Sequence, residues 1–231
     1  MMKFTSLTNI VRKASSGFTM IELLIVIAIL GILATAVLSA INPVEQINRG
    51  RDTGTRSDAE QLISAIDRYN AFKGYLPWQW GASDANLALS SDGTATGTLT
   101  ALTATLPLDH GGSASPTPWT ACHILNKISV HDAVGTACPA GYGTEDLKVA
   151  FVNRITNTTT SRALFMYNSG ASGASTYVCF IPQSKAFRTE AETRCGSTTG
   201  TGMPKDLSDA AKATICGGYL IPATPVYTCL P

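Results

Sequence analysis

A single carboxylate stands inside the longest apolar segment of the sequence. Residues Phe18 to Ile41 read FTMIELLIVIAILGILATAVLSAI, and Glu22 is the one charged residue among these 24 positions. A charge within a membrane helix costs about 2.5 to 3.5 kcal/mol on insertion scales, so such a residue is a candidate for a function. Glu22 either contacts water at the membrane edge or meets a cationic partner.

Six cysteines form the second group of reactive side chains. All of them fall in the second half of the chain without a C-x-x-C pair, which favours disulfides made outside the cytosol over a zinc site. Six cysteines allow 15 complete pairings. We expect pairing in chain order, which joins Cys122 to Cys138, Cys179 to Cys195, and Cys216 to Cys229.

The other candidates for chemistry are isolated in the sequence. His110, His123 and His131 lie in no protease or nucleophile motif, so we expect them to be surface or loop residues. Asp84 and Asp92 lie in loops, but their spacing matches no calcium-binding loop. The sequence therefore predicts no enzyme, no cofactor and no metal site.

The apolar segment is long enough to cross a membrane. As a helix it would extend about 36 Å, at about 1.5 Å per residue. Lys3, Arg12 and Lys13 precede it without an acid, so its N-terminal end is expected in the cytoplasm and the rest of the chain outside. Removal of the first 17 residues leaves 14 basic and 16 acidic side chains, which gives no overall attraction to nucleic acid.

The residues at the cytoplasmic edge of this segment resemble a known processing site. The sequence from Ser16 to Glu22, SGFTMIE, follows a short basic leader and looks like the processing site of type IV prepilins and type II secretion pseudopilins. The resemblance implies that a membrane prepilin peptidase cuts between Gly17 and Phe18 and methylates the new amine of Phe18. It also implies that Glu22 meets the amine of a neighbouring subunit, with an intrachain pair over one helical turn as the alternative.

The backbone is expected to be interrupted where the apolar segment ends. Asn42 and Pro43 read as the N-cap and first position of a new helix, and a single helix kinked at Pro43 is the alternative. An amphipathic helix is predicted over residues 42–74, with Gly74 as its C-terminal cap. Its apolar positions are Val44, Ile47, Ala59, Leu62, Ile66 and Tyr69.

The remaining residues are predicted to form a globular head. Residues 81–118 are rich in Gly, Ser, Thr, Ala and Pro and read as a long surface loop. The resemblance implies an α+β pilin fold, in which the long N-terminal helix packs on a small antiparallel sheet in a loop-rich, disulfide-containing head. Strands are expected at residues 147–155, 162–168 and 176–181, and short helices at residues 183–194 and 205–215.

The predicted organisation is a leader over 1–17, a transmembrane and filament-core helix over 18–41, an amphipathic helix over 42–74, and an extracellular head over 75–231. By resemblance, the chain is stored in the cytoplasmic membrane and then polymerises with identical subunits into a type IV pilus for adhesion, motility or DNA uptake. Its other partners would be the prepilin peptidase and the pilus assembly platform.

Two alternative functions follow from the same resemblance. A pseudopilin of a type II secretion system shares the leader and the helix. A DNA-binding competence pilin would need an exposed basic patch, for which the candidate residues are Arg188, Arg194, Lys205 and Lys212.

Overall fold

The computed structural model of the protein describes residues 17–40, 42–84, 89, 99–105, 122–139, 141–157, 162–171, 173–221 and 224–231. The chain divides into two compact units, Met1–Pro43 and Val44–Pro231. The leader before Gly17, His110, Asp92 and most of the predicted surface loop lie outside the described residues.

Helix α1, Met20–Ala40, makes up most of the described part of the first unit. Its 21 residues extend roughly 32 Å at about 1.5 Å per residue. Residues Met20–Ser39 are long and apolar enough to cross a membrane, and none of them is buried within the unit. A helix that is apolar on all sides needs lipid or other helices to cover it.

Helix α2, Pro43–Lys73, begins where the sequence predicted the interruption. Its buried side includes Ala59, Leu62 and Ile66, which confirms the C-terminal part of the predicted apolar stripe. The helix ends as predicted, because Gly74 has a φ of 79° and donates its N–H to the Asn70 carbonyl at 2.8 Å. Glycine adopts this left-handed conformation without a steric cost.

The first two turns of α2 differ from the prediction. Val44 and Ile47 are 63% and 56% exposed, so they are not part of the buried stripe. The buried positions begin instead at Asp52, and Asp58 is buried as well. Neither acid is among the apolar positions from which the sequence predicted the buried side.

Among the described residues, four antiparallel strands form one sheet in the order β1-β2-β3-β4. Strands β2, Leu164–Tyr167, and β3, Tyr177–Phe180, confirm two of the predicted strands, and their register pairs Leu164 with Phe180. Strands β1, Thr100–Ala101, and β4, Thr228–Leu230, occupy the edges. The α+β fold class is therefore as expected.

Helices cover both faces of the sheet. One face contributes Met166 and Val178 to a core shared with α2, α3 (Ile124–Ile128) and α4 (Val149–Ile155). The other face contributes Tyr167 and Cys179 to a core shared with α5 (Lys185–Cys195) and α6 (Asp209–Cys216). Helices α5 and α6 confirm the two short helices predicted near the C-terminus.

The predicted strand over residues 147–155 is wrong, because this segment forms helix α4. Phe151, Val152 and Ile155 are buried, whereas Ala150 and Asn153 are exposed. This spacing follows the helical repeat of 3.6 residues, which outweighs the strand propensity of Val, Phe and Ile.

The described parts of the predicted surface loop are also different from the expectation. Thr100 and Ala101 pair with Met166 and Phe165 as strand β1. Leu89 and Leu102 are fully buried. Helix α3 and strands β1 and β4 were not predicted, because each is too short to produce a clear periodicity.

Three disulfides close the second unit, and two of them differ from the chain-order prediction. Cys122 pairs with Cys138 as expected, whereas Cys179 pairs with Cys229 and Cys195 with Cys216. The physical reason is position, since Cys179 of β3 lies directly opposite Cys229 of β4 in the sheet register. Cys195 and Cys216 are the last residues of α5 and α6, which pack against one another.

Candidate functional site

The predicted cleavage site lies just before helix α1. Gly17, Phe18 and Thr19 have no regular secondary structure, and Met20 is the first helical residue. The Phe18 side chain is 82% exposed within its unit. The bond between Gly17 and Phe18 therefore lies outside the helical hydrogen bonds of α1.

Glu22 lies in the first turn of α1. The Thr19 hydroxyl oxygen accepts the Glu22 N–H at 3.3 Å, and the Thr19 carbonyl accepts the Leu23 N–H at 3.2 Å. Thr19 thus caps the helix, with Glu22 three residues later, which is the spacing of a capping box. A carboxylate at this position is favoured by the positive end of the helix dipole.

Glu22 lies four residues after the residue that would carry a new amine. Phe18 precedes the N-cap Thr19 and is outside α1, so this separation does not place the two side chains on one helix face. An α-amine has an unperturbed pKa near 8, so it would be mostly positive at neutral pH. Glu22 is exposed within the described unit, and its carboxylate is open to a cation on another molecule.

Residues 12–38 match the family model of the prokaryotic N-terminal methylation motif. This motif is the class III leader of type IV pilins and pseudopilins. Searches among curated proteins and among solved structures find no match. The match supports a type IV pilin-like or pseudopilin protein, and the motif indicates a structural subunit.

The pilin-type motif explains the apolar surface of α1. It implies processing by a prepilin peptidase and assembly into filaments of many subunits. With the apolar helix, it also indicates anchoring in the membrane before assembly. A side chain such as Leu38, which is 69% exposed within its unit, would be covered by lipid in one state and by neighbouring helices in the other.

The start of α2 is fixed to the start of α5 by two carboxylates, a contact that the sequence analysis missed. The Asp52 carboxylate accepts the Gln183 N–H at 2.9 Å, the Ser184 N–H at 2.8 Å and the Ser184 hydroxyl at 2.6 Å. Glu45 accepts the N–H groups of Lys185 and Ala186 at 3.1 and 3.3 Å. We call this group of contacts the α2–α5 latch.

The latch works because the N-terminus of a helix presents N–H groups that have no intrahelical acceptor. Ser184 is the N-cap of α5 and accepts the Phe187 N–H, while its hydroxyl donates to Asp52. The Asp52 and Glu45 carboxylates accept the N–H groups of residues 183–186. Their negative charge is favourable at the positive end of the α5 helix dipole. No local pattern reveals the latch, since Asp52 and Ser184 are 132 residues apart.

A second buried acid of α2 is neutralised by an arginine of α4. Arg154 donates to Asp58 at 2.6 Å, and the Asp58 side chain is 8% exposed. The wrong strand assignment of residues 147–155 hid this contact, because only a helix places Arg154 on the face beside the buried Phe151 and Ile155.

The basic residues proposed as a DNA-binding patch are mostly occupied inside the head. Arg188 pairs with Glu192 at 3.1 Å and Arg194 with Glu190 at 2.7 Å. Lys212 lies 3.8 Å from the Asp209 carboxylate. These ion pairs reduce the positive potential that phosphate binding would require.

His123 is a buried structural residue, whereas the sequence predicted a surface or loop residue. It is fully buried and forms the N-cap of α3, with its Nδ1 accepting the Leu125 N–H at 3.2 Å. Its Nε2 therefore carries the proton and lies 3.0 Å from the Thr103 carbonyl oxygen. His131 is partly exposed, and the described residues contain no group of three or more side chains arranged to hold a metal ion.

Tyr177 has a raised pKa. Burial, together with a 2.8 Å hydrogen bond to the Asp206 carboxylate, raises the pKa of Tyr177 to about 12. The shift reflects a phenol that must keep its proton to satisfy a neighbouring carboxylate. It is a structural contact near the C-terminal strand and involves no residue of the predicted processing site.

Proposed function

We propose that the chain is a structural subunit of a type IV pilus, made as a membrane-anchored precursor and assembled at the cell surface. The precursor is cut between Gly17 and Phe18, and the Phe18 amine is methylated. Helix α1 then leaves the lipid and joins the helices of identical subunits in the filament core. The observation that carries the proposal is the methylation motif at residues 12–38, which includes most of the apolar and unburied helix α1.

Glu22 has a specific role in this proposal. Within a core of packed apolar helices an unpaired carboxylate is strongly disfavoured, and removal of one member of a buried ion pair costs roughly 3 to 5 kcal/mol. The amine of Phe18 on a neighbouring subunit neutralises Glu22 only when the two subunits are staggered correctly. The pair therefore sets the register of the filament as well as balancing the charge.

N-terminal sequencing of protein sheared from intact cells tests cleavage and surface assembly together. We expect the recovered chain to begin with methylated Phe18. A chain that begins with Met1, or beyond residue 41, would contradict the proposal. Recovery of processed protein only in the cell envelope, without sheared filaments, would favour the pseudopilin alternative.

A matched pair of variants tests the role of Glu22. Glu22→Ala is expected to be processed normally but to give few or no filaments. Glu60→Ala is the control, since Glu60 is an exposed acid of α2 in a surface pair with Arg56 at 3.5 Å. Filament numbers equal to those of the unsubstituted chain in Glu22→Ala would remove Glu22 from the assembly mechanism.

A further inference from the structure

The first turns of α2 extend past the head on the side that the head covers farther along the helix. Val44 and Leu62 are about five full turns apart, at about 3.6 residues per turn, so they lie on the same side of α2. Leu62 is fully buried, whereas Val44 is 63% exposed and Ile47 is 56% exposed. The apolar stripe of α2 therefore continues beyond the cover that the described part of the head provides.

Two arginines accompany this uncovered apolar surface. Arg49 and Arg51 are exposed, and neither forms an ion pair with another described residue. Arg51 shares a sector of about 60° with Val44 and Ile47, at about 100° per residue, whereas Arg49 lies on another side of the helix. Helical side chains lean toward the N-terminus, so both long side chains can reach back toward the start of α2.

The neighbouring acids are directed to the head. Glu45 and Asp52 accept backbone N–H groups at the N-terminus of α5, and the dipole of that helix offsets part of their charge. Lys185, which is exposed in the first turn of α5, adds a third cation beside Glu45. This end of α2 thus carries three cations against two acids, and both acids are engaged elsewhere.

The segment follows closely on the apolar span of the first unit. The span Met20–Ser39 ends four residues before Pro43, and the motif and the apolar helix together indicate anchoring in the membrane before assembly. Arg51 lies about 12 Å along α2 from Pro43, at about 1.5 Å per residue. The chain therefore tethers both arginines close to the headgroup layer of the bilayer, which is a dense source of phosphate.

We propose that the first turns of α2 dock on the outer surface of the cytoplasmic membrane, where Arg49 and Arg51 bind the phosphates of anionic lipid headgroups. Val44 and Ile47 then enter the boundary between headgroups and acyl chains. Arginine suits this position, because its guanidinium binds phosphate in bidentate fashion while its aliphatic stem covers apolar surface. A second copy of the chain is a poorer partner, since it would bring the same positive charge to the contact.

This docking would hold the head at the membrane before assembly, and it rests on the membrane-anchored precursor of the proposed function. A fluorescent label at position 47 of the full chain measures it. The six native cysteines are all in disulfides, so Ile47→Cys supplies the only free thiol for an environment-sensitive dye. The labelled chain is reconstituted in vesicles of phosphatidylcholine with about 30% phosphatidylglycerol, in which brominated acyl chains quench a dye that reaches them.

We expect quenching of the label at position 47. A label at Gln61→Cys is the control for position, because Gln61 is exposed and lies about 21 Å farther along α2. The bromine atoms should not quench it. Quenching at both positions alike would contradict docking through the first turns of α2.

The arginines are tested by two double variants that lose the same charge. Each arginine near an anionic surface contributes about a fivefold factor, so Arg49→Gln with Arg51→Gln should lower the ratio of docked to undocked label about 25-fold. Lys73→Gln with Lys148→Gln is the control, because it removes two positive charges from the last residue of α2 and the N-cap of α4. The control should leave the quenching unchanged.

Two measurements on the chain with both arginines intact do not depend on the folding of these variants. Replacement of the phosphatidylglycerol by phosphatidylcholine, and addition of about 0.5 M NaCl, should each reduce the quenching, because both weaken the attraction between arginine and the surface. Equal quenching in all conditions, or none at position 47, would overturn the proposal. A blue-shifted dye that bromine does not quench would show that a second copy covers this surface, and it would also overturn the proposal.

Failure of the docking is distinguishable from failure of the proposed function. A chain that resists extraction from the vesicles by alkaline carbonate, while its label at position 47 stays unquenched, has the membrane anchor but not the docking. A chain that carbonate extracts would contradict the membrane-anchored precursor itself.

Discussion

Removal of the Asp52 carboxylate should loosen the α2–α5 latch and lower the stability of the head. Asp52 is 1% exposed and accepts hydrogen bonds from two backbone N–H groups and one hydroxyl. Asp52→Ala leaves these donors without this acceptor, and the bonds made by Ser184 are buried away from water. The Ser184 hydroxyl can turn to another acceptor, whereas the Gln183 and Ser184 N–H groups cannot.

The expected magnitude follows from these donors. A buried donor that loses its acceptor costs about 1 to 3 kcal/mol, and bonds to a charged acceptor lie at the upper end of the scale. Two such donors give a loss of about 3 kcal/mol in the free energy of unfolding. A domain of this size shifts by about 2 to 4 °C per kcal/mol, so we expect the midpoint to fall by about 6 to 12 °C.

Thermal unfolding of the detergent-solubilised chain, followed by near-ultraviolet circular dichroism with the disulfides intact, measures this shift. Asp52→Asn keeps one acceptor oxygen and should fall between Asp52→Ala and the unsubstituted chain. Asp67→Asn is the matched control, because Asp67 is an exposed acid of the same helix. Surface changes of this kind usually alter stability by less than about 0.5 kcal/mol.

The result that would refute the reasoning is an equal midpoint for Asp52→Ala and Asp67→Asn. It would mean that water or another group satisfies the N-terminus of α5 without Asp52. A second measurement locates the effect within the chain. Amide exchange in residues 45–54 of Asp52→Ala should become faster, because Gly50 and Gly54 weaken this part of α2 when the latch is absent.

Two further predictions concern the C-terminal strand and the helix junction. The pKa of Tyr177 is about 12 in the folded chain and about 10 unfolded, so its contribution to stability is complete below pH 10 and is lost as the pH rises toward 12. Between pH 9 and 11.5, the free energy of unfolding in urea should fall less steeply with pH in Tyr177→Phe than in the unsubstituted chain. Equal slopes of this free energy against pH in the two chains would contradict a role for the Tyr177 pKa shift. In filaments, amide protection should fall in the residues that flank Pro43, because Pro43 lacks an N–H and disrupts the hydrogen bond of the preceding turn. Equal protection across residues 36–50, measured by exchange and mass spectrometry, would show that the helix is not interrupted there.

The parts of the fold that the sequence predicted are those that depend on near neighbours. Strands β2 and β3 have compact runs of Phe, Tyr, Val and Met between turn residues, and both were predicted close to their observed positions. The end of α2 at Gly74 depends on a single backbone conformation, which glycine identifies. The processing motif is also local, and it lies within a matched segment of residues 12–38.

The parts that could not be predicted depend on residues that are distant in the chain. Cys179 and Cys229 are 50 residues apart and meet because β3 and β4 are paired. This pairing could not be predicted, because the sequence did not indicate strand β4. Asp52 is a charged residue, of a type that usually faces solvent, and it is buried here because α5 packs against it. The sequence does not reveal which distant elements pack together, because hydrophobic periodicity describes one element at a time.

The latch gives a physical reason for the position at which the chain can bend. The structure has no regular helix at Asn42, between the end of α1 at Ala40 and the start of α2 at Pro43. From Glu45 onward, α2 is bound to the head, so bending within residues 45–52 would break the hydrogen bonds to the N-terminus of α5. Bending before Glu45 breaks none of these bonds. Extension of a filament should therefore concentrate at the junction around Pro43, and the two glycines of α2 should contribute to it only when the latch is removed.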